Sequence, residues 1–369
     1  FEYYDVFREE IGSTSTQELY KFFDREGNIL ALRPDITPSV ARAAATLFDT
    51  EDFPLRFCYV GNTFINHTSY RGKLKENTQC GAELIGLDSV EADAEMIAMV
   101  ADAWKKTGLE EFQISIGHVD FLQSILSAAE LDEETVERIR ELIGNRNFFG
   151  AEELLEEKDV KKEIKEAVAI LPELMGTEDV LDKAQQFAIS DKAKAAIERL
   201  RQINHLLCLY NASDHVTFDL SMSGGYGYYT GIVFRAYTYG TGDAVVRGGR
   251  YDHLLEKFGK ETPSIGFAII VDELMNALSR QKISVDTIRR NIIVYNEETE
   301  SNAIILAGNF REKGRCIELI RQKEGQDKSL YESYAKRKNA AALIYLCDDK
   351  KLEMTNLITG EKKTANIAE

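Results

Sequence analysis

A carboxylate and a hydroxyl stand close together where an extended segment gives way to a helix. Residues 28–33 have a strand pattern, and Thr37-Pro38 then supplies an N-cap hydroxyl and a proline at the first helical position. The connecting loop places Asp35 and Thr37 at the strand end, a common location for ligand contacts. The same pattern is also expected if Asp35 only caps the helix.

A second candidate ligand region combines glycines with tyrosines. The glycine-rich turn Gly224–Gly227 precedes Tyr228-Tyr229-Thr230-Gly231, and Gly248-Gly249 lies in a later extended segment. Glycines in such places allow a ligand or a neighbouring backbone to approach closely. Metal chemistry is not predicted, because the five histidines lack metal-ligand spacing. The five cysteines contain no Cys-x-x-Cys pair, which favours reduced thiols in a cytoplasmic protein.

Hydrophobic periodicity predicts the elements that must position these residues. Strands are predicted over 55–64, 79–86, 112–116, 216–222, 232–237, 244–251 and 264–271. A helix is predicted over 89–105, and a helical block covers about 120–212. Strands arriving from both sides of this block must share one antiparallel sheet. The prediction is an α+β domain over 1–282 with a helical insertion.

The last part of the chain has a different pattern. Strands predicted over 291–295, 316–320 and 341–346 alternate with helices over 300–313 and 329–338. This β-α-β-α-β order is typical of a small parallel or mixed α/β domain. We place that domain at residues 288–369.

Charge and hydropathy exclude several classes of function. The formal charge is −17, from 45 Lys+Arg against 62 Asp+Glu, so polyanions are repelled and nucleic acid is an unlikely partner. Residues 285–369 are nearly neutral, with 15 basic and 14 acidic side chains. No apolar run approaches the roughly 18 residues of a membrane span, and the first residues lack a signal-peptide pattern. The expectation is a cytoplasmic protein.

Five segments, in chain order, carry a family resemblance: Leu32–Pro38, Gln79–Gly86, Tyr228–Gly231, Gly248–Asp252 and Gly266–Ala268. Together they resemble histidyl-tRNA synthetases and their paralogues, the regulatory subunits of short-form ATP phosphoribosyltransferase. The resemblance spans essentially the whole chain. It implies a class II aminoacyl-tRNA synthetase-like antiparallel sheet with a helical insertion, a dimer, and a pocket for free histidine. The C-terminal domain resembles the anticodon-binding domain of the synthetases.

The resemblance also assigns residues to a histidine pocket, and their chemistry fits that ligand. The carried-over positions are Asp35, Thr37, Gln79, Glu83, Tyr228, Tyr229 and Tyr251. An ammonium group seeks a carboxylate and a hydroxyl, as Asp35 and Thr37 offer. A neutral imidazole has one donor and one acceptor, which Glu83 and a tyrosine hydroxyl match. Gln79 can face either the ammonium or the carboxylate group.

Three departures from the synthetase pattern affect the adenylation chemistry. Charge that develops on ATP phosphates requires fixed cations, usually arginines with magnesium. The three family arginine positions hold Ile65, Gly224 and Glu273 in this sequence. Losing one such donor costs about 2.7–4 kcal/mol of transition-state stabilisation, so losing three predicts no useful activation. The arginine replaced by Gly224 would also hold the histidine carboxylate; backbone N–H groups of the Gly224–Gly227 turn are one possible substitute.

The resemblance and the departures together imply a non-catalytic regulatory subunit without a cofactor. Its partner would be the short-form ATP phosphoribosyltransferase catalytic subunit, with this chain as a homodimer within a hetero-octamer. Bound L-histidine would convey feedback on the first step of histidine biosynthesis. One alternative is an active histidine–tRNA ligase with unusual phosphate contacts. Another is a structural dimeric binding module that has lost its ligands.

Overall fold

A computed structural model describes residues 1–7, 14–48, 54–67, 74–222, 228–285, 288–323 and 325–366. The chain forms two compact units, Phe1–Ser284 and Val285–Glu369. Among the helices of the described residues, none combines the length and apolar character needed to cross a membrane.

The first unit alternates strands and helices before and after a long helical region. Its strands in the described residues are β1 Glu2–Tyr3, β2 Lys21–Phe23, β3 Ile29–Ala31, β4 Leu55–Phe64, β5 Glu76–Ile85, β6 Phe112–His118, β7 Met175–Gly176, β8 Val216–Asp219, β9 Ile232–Thr238, β10 Val246–Arg250 and β11 Ser264–Ile270. Its helices are α1 Thr37–Leu47, α2 Val90–Lys106, α3 Val119–Ala128, α4 Glu133–Gly144, α5 Phe148–Glu157, α6 Lys162–Ala169, α7 Asp179–Gln185, α8 Asp191–Leu209 and α9 Val271–Arg280.

Strands from both sides of the helical insertion form one large sheet, as predicted. Its order within the described residues is β4-β5-β11-β10-β9-β6-β8-β7. The pairs are antiparallel except for β6 with β8, which run parallel. The main hydrophobic core includes Trp104, Phe121, Phe218 and Phe234, all almost fully buried. This core joins the sheet to helices of the insertion, so the strands that carry the candidate site have a continuous apolar support.

The N-terminal strands form a separate small sheet. Its order is β1-β3-β2, and both pairs are antiparallel. The strand predicted over 28–33 is therefore real but short, and it lies outside the main sheet. Sequence periodicity cannot distinguish these cases, because three-residue strands pair with whichever neighbours the tertiary structure supplies.

A buried ion-pair cluster joins strand β10 to helix α2. Arg250 donates from Nη2 and Nε to Asp93 Oδ1 at 2.6 and 3.0 Å, and Arg199 Nε donates to Asp93 Oδ2 at 2.6 Å. Asp93 has 0% and Arg250 2% of its surface exposed. The cluster fixes the residue directly before Tyr251, and so helps to position that tyrosine.

The second unit is a mixed α/β structure. Its elements are β12 Asn291–Tyr295, α10 Glu300–Glu312, β13 Ile317–Arg321, α11 Lys328–Arg337, β14 Ala342–Leu346, β15 Lys351–Asn356 and β16 Lys362–Asn366. The strand order is β13-β12-β14-β15-β16. The first three strands are parallel, whereas β15 and β16 add an antiparallel hairpin that sequence analysis did not predict.

Candidate ligand pocket

The loop between β3 and α1 brings its two predicted ligand residues to the candidate pocket, but Thr37 does not cap the helix. Asp35 and Thr37 are both 8% exposed. The N-cap position of α1 is Ile36, and no side chain caps this end. The prediction that the Thr37 hydroxyl caps the helix is therefore wrong. Instead the Thr37 backbone N–H donates to Asp35 Oδ1 at 3.2 Å, and its hydroxyl points to the sheet.

Glu83 on strand β5 is the centre of the pocket. Thr37 Oγ1 donates to Glu83 Oε1 at 2.8 Å, and the Tyr251 hydroxyl donates to Oε2 at 2.6 Å. Glu83 is only 2% exposed. Burial raises the pKa of this carboxyl to about 8, although the hydrogen bonds from Tyr251 and Thr37 oppose the rise. The hydroxyls of Thr37 and Tyr251 therefore hold a carboxyl group whose pKa is about 8.

Glycines next to Glu83 provide the space that its side chain occupies. Gly266 is the cross-strand partner of Glu83 on β11. A Cβ atom at position 266 would overlap Glu83 Oε2, and one at Gly249 would lie 2.8 Å from the Tyr229 ring. Glycine is therefore required at position 266 for the carboxyl to lie flat against the sheet.

Three tyrosines form an aromatic wall on the other side. The Tyr228 hydroxyl donates to Asp35 Oδ2 at 2.8 Å. The rings of Tyr228 and Tyr229 meet edge to face, with centroids 5.1 Å apart, and the centroids of Tyr228 and Tyr251 are 5.9 Å apart. Each ring offers apolar area with a polar end, which suits a planar polar ligand such as an imidazole.

Two polar atoms in this region have no hydrogen-bond partner among the described residues. They are the Tyr59 hydroxyl oxygen and Gln79 Oε1, both buried. Burial and the nearby charges of Glu83 and Asp35 raise the pKa of Tyr59 well above its usual value, although the neighbouring Thr37 hydroxyl opposes the rise. Sequence analysis predicted Gln79 but missed Tyr59. The available signal was strand alternation: Tyr59 pairs with Gly81, two residues from Glu83, and therefore shares the face of Glu83.

Two of the three positions where the synthetase pattern predicts arginine follow strands of the same sheet. Ile65 follows β4 directly, and its backbone N–H donates to the Lys75 carbonyl oxygen at 2.9 Å. Glu273 is half-buried in the first turn of α9. Position 224, with the whole Gly224–Gly227 turn, lies outside the described residues. Of the seven predicted pocket residues, hydrogen bonds and ring contacts join Asp35, Thr37, Glu83, Tyr228, Tyr229 and Tyr251.

Comparisons with known proteins agree with this fold. The fold and pocket define a class II synthetase-like protein, and the family model described as histidyl-tRNA synthetase matches residues 1–274. The ATP phosphoribosyltransferase regulatory subunit of Acetivibrio thermocellus is 40% identical, covering 100% of this chain and 88% of the relative. The protein of the same name from Ruminiclostridium cellulolyticum is 35% identical, covering 98% and 86%. The chain belongs to the family of ATP phosphoribosyltransferase regulatory subunits.

A solved structure supports the same assignment. It is described as an ATP phosphoribosyltransferase regulatory subunit/histidyl-tRNA synthetase from Bacillus halodurans C. The TM-score is 0.80 at 31% sequence identity, and the match covers 93% of this chain and 86% of that one.

Proposed function

We propose that this chain is a non-catalytic regulatory subunit that binds free L-histidine and acts on the short-form ATP phosphoribosyltransferase catalytic subunit. The observation that carries the proposal is the buried Glu83 carboxyl, held by Thr37 and Tyr251 beside the Asp35–Tyr228 pair. These groups suit a small ligand with an imidazole at one end and an ammonium group nearby. The names of the curated relatives supply the proposed partner.

Each part of histidine has a chemically matched group in this pocket. The imidazole would exchange a proton with Glu83, whose pKa of about 8 lies close to that of an imidazole. Asp35 would accept hydrogen bonds from the ammonium group, together with the unpartnered Gln79 Oε1. The rings of Tyr228 and Tyr229 would cover the imidazole face.

The residues at the adenylation positions argue for binding without activation. Ile65 and Gly224 cannot supply a cation, and Glu273 would repel a triphosphate. Feedback then requires histidine to prefer one state of the complex with the catalytic subunit, and a coupling of roughly 1–3 kcal/mol is sufficient. We place the chain as a homodimer within a hetero-octamer in the cytoplasm, in keeping with five free cysteines.

Reconstitution tests this function directly. The purified chain is mixed with the short catalytic subunit, and phosphoribosyl transfer is measured while L-histidine is added. The expected result is activity that depends on this chain and falls as histidine increases. In the Glu83→Gln variant the activation should remain and the histidine response should weaken strongly. Absence of activation by the wild-type chain would contradict the proposal.

The family match to histidyl-tRNA synthetase keeps a ligase as the second candidate. Histidine-dependent exchange between ATP and pyrophosphate by the purified chain distinguishes the two functions, because only a ligase forms the adenylate. We expect no exchange above background. A purely structural module would instead activate the catalytic subunit without any histidine binding.

A further inference from the structure

Arg33 lies against the strand that borders the pocket. Its backbone carbonyl accepts the Phe64 N–H at 2.9 Å, and its side-chain Nε donates to the Asn62 carbonyl oxygen at 2.9 Å. Its Nη2 lies 3.1 Å from the point where a Cβ atom of Gly61 would be. The guanidinium group therefore covers the backbone of Gly61, at a place that a larger residue would occupy.

Strand register puts this guanidinium on the same face as Glu83. Gly61 pairs with Gln79 and Tyr59 pairs with Gly81, in direct antiparallel register. Residues at alternate positions of a strand face the same side, as do directly paired residues. Gln79 and Glu83 are four residues apart, about 13 Å along the strand. Arg33 thus lies near one end of this face and Glu83 near the other.

We call the part of this sheet face between Arg33 and Glu83 the strip. It contains the two unpartnered polar atoms described above, the Tyr59 hydroxyl oxygen and Gln79 Oε1. The Tyr59 phenol group covers Gly81, in the middle of the strip, and its hydroxyl oxygen is buried without a partner among the described residues. Gln79 Oε1 is unpartnered in the same way, beside Gly61. Two buried oxygens can accept hydrogen bonds from an ammonium group. Their unsatisfied state indicates a polar ligand there, because such atoms are costly when left unpaired.

No carboxylate of the described residues pairs with the Arg33 charge. Arg42 pairs with Glu2 at 2.9 Å and Arg250 with Asp93 at 2.6 Å. Arg33 instead bonds only a backbone carbonyl through Nε, and its Nη atoms make no ion pair with any carboxylate of the described residues. A guanidinium with free Nη atoms is well suited to hold a carboxylate through two parallel hydrogen bonds.

We infer that Arg33 is the cation that holds the α-carboxylate of the amino-acid ligand, in place of the arginine absent at position 224. The inference rests on the proposed histidine binding and adds the residue that makes the pocket specific for an amino acid over an amine. The ligand carboxylate would lie at Arg33 and its ammonium near Gln79 and Asp35, beside Tyr59, with the imidazole directed toward Glu83.

Two ligands that differ only in the carboxylate test this assignment. Calorimetry compares L-histidine with histamine, which lacks that group, on the full chain. The wild type should bind histidine about 10- to 100-fold more tightly than histamine, as expected for a charge-assisted hydrogen-bonded pair. In Arg33→Gln that preference should disappear, because histidine affinity falls by the same factor while histamine affinity stays unchanged.

Control variants distinguish a direct contact between Arg33 and the ligand from a structural role of Arg33 in the sheet. Arg56→Gln removes a charge from the opposite face of β4, where Arg56 pairs with Glu95, and should leave both affinities unchanged. Gly61→Ala keeps the Arg33 charge but pushes its guanidinium group away, and should weaken histidine binding alone. Arg33→Lys should restore part of the preference. Thermal unfolding of each variant shows that it is folded.

Four results would overturn the assignment. Equal losses of histidine and histamine affinity in Arg33→Gln would mean that Arg33 only supports the strand. Unchanged binding of both ligands in that variant would mean that Arg33 does not touch the carboxylate. If the wild type binds neither ligand, the proposed histidine function fails with it; if the wild type binds histamine as tightly as histidine, only the Arg33 assignment fails.

Discussion

The Tyr251 hydroxyl lies 2.6 Å from Glu83 Oε2 and donates to it, while Thr37 occupies the other oxygen of the same carboxyl. Tyr251 is 1% exposed, and its own pKa is raised well above the usual value by burial and by the Glu83 charge. The carboxyl is therefore held in one orientation by two hydroxyls from distant parts of the chain. A ligand that arrives at Glu83 meets a preformed group, so little ordering of side chains is needed on binding.

The stability of the first unit should depend on pH through Glu83. Its pKa is about 8 in the folded chain and near 4.5 when unfolded, so between these values the folded state binds one more proton. The free energy of unfolding should therefore fall with rising pH, by about 1.4 kcal/mol per unit from about pH 5.5 to 7.5. Urea unfolding followed by fluorescence of Trp104, the single tryptophan, measures this.

The Glu83→Gln variant isolates this contribution from other titrating groups. Glutamine keeps the shape of the side chain and does not titrate, so the difference in unfolding free energy between variant and wild type should change by the same slope. Above about pH 8.5 the difference should become constant. A difference that stays constant from pH 5.5 to 8.5 would contradict the raised pKa.

Histidine affinity should have a maximum between the two pKa values involved. Free imidazole titrates near pH 6.5 and Glu83 near 8, and the bound pair needs one proton between them. Below about pH 6 both groups carry a proton and one must leave; above about pH 8 neither carries one. Calorimetry in two buffers should detect proton release at about pH 5.5 and uptake at about pH 8.5, with almost no exchange at about pH 7. No proton exchange at about pH 5.5 together with uptake already at about pH 7 would show that Glu83 enters the complex from the ionised state.

A single methyl group at position 266 should abolish binding. A Cβ atom there would overlap Glu83 Oε2, and the backbone of Ala82 lies on its other side. In Gly266→Ala the carboxyl must turn away from Thr37 and Tyr251, so we expect loss of histidine binding and destabilisation of about 1–3 kcal/mol. Gly144→Ala is the matched control. It adds the same methyl group in helix α4 with nothing within 4 Å, and should leave binding unchanged.

Apart from the two-residue β7, which lies within the segment predicted to be helical, the large sheet was predictable from sequence because its strands are long or apolar. β4 and β5 have ten residues each, and buried residues recur along β6, β9 and β11. The strands of the C-terminal hairpin, β15 and β16, were not predicted because they lack this apolar pattern. β16 is exposed at each of its five residues, so it has no apolar periodicity to detect. It is a strand because β15 supplies backbone partners, and that information is not local.

Local sequence patterns were also insufficient to predict all the contacts in the candidate site. Family motifs placed Thr37, Glu83 and Tyr251 in the candidate pocket, yet the local pattern also assigned the Thr37 hydroxyl to helix capping, which is the usual role of such a residue. Its actual partner is 46 positions away on another strand. Tyr59 and the role of Arg33 depend on register between β4 and β5, which local patterns do not specify.

The Asp93–Arg250 pair should be far more important for stability than the neighbouring pair on the same helix. Asp93→Ala removes the closest carboxylate from the buried Arg250 cation and leaves it with Asp252 at 3.1 Å and Asp88 at 3.8 Å, so we expect destabilisation of about 3 kcal/mol in urea unfolding. Glu95→Ala breaks the pair with Arg56, whose side chain is 52% exposed, and should cost less than about 1 kcal/mol. Because Arg250 precedes Tyr251, Asp93→Ala should also weaken histidine binding, whereas Glu95→Ala should not. Similar losses of stability in the two variants would show that Asp252 or solvent compensates the Arg250 cation when Asp93 is removed.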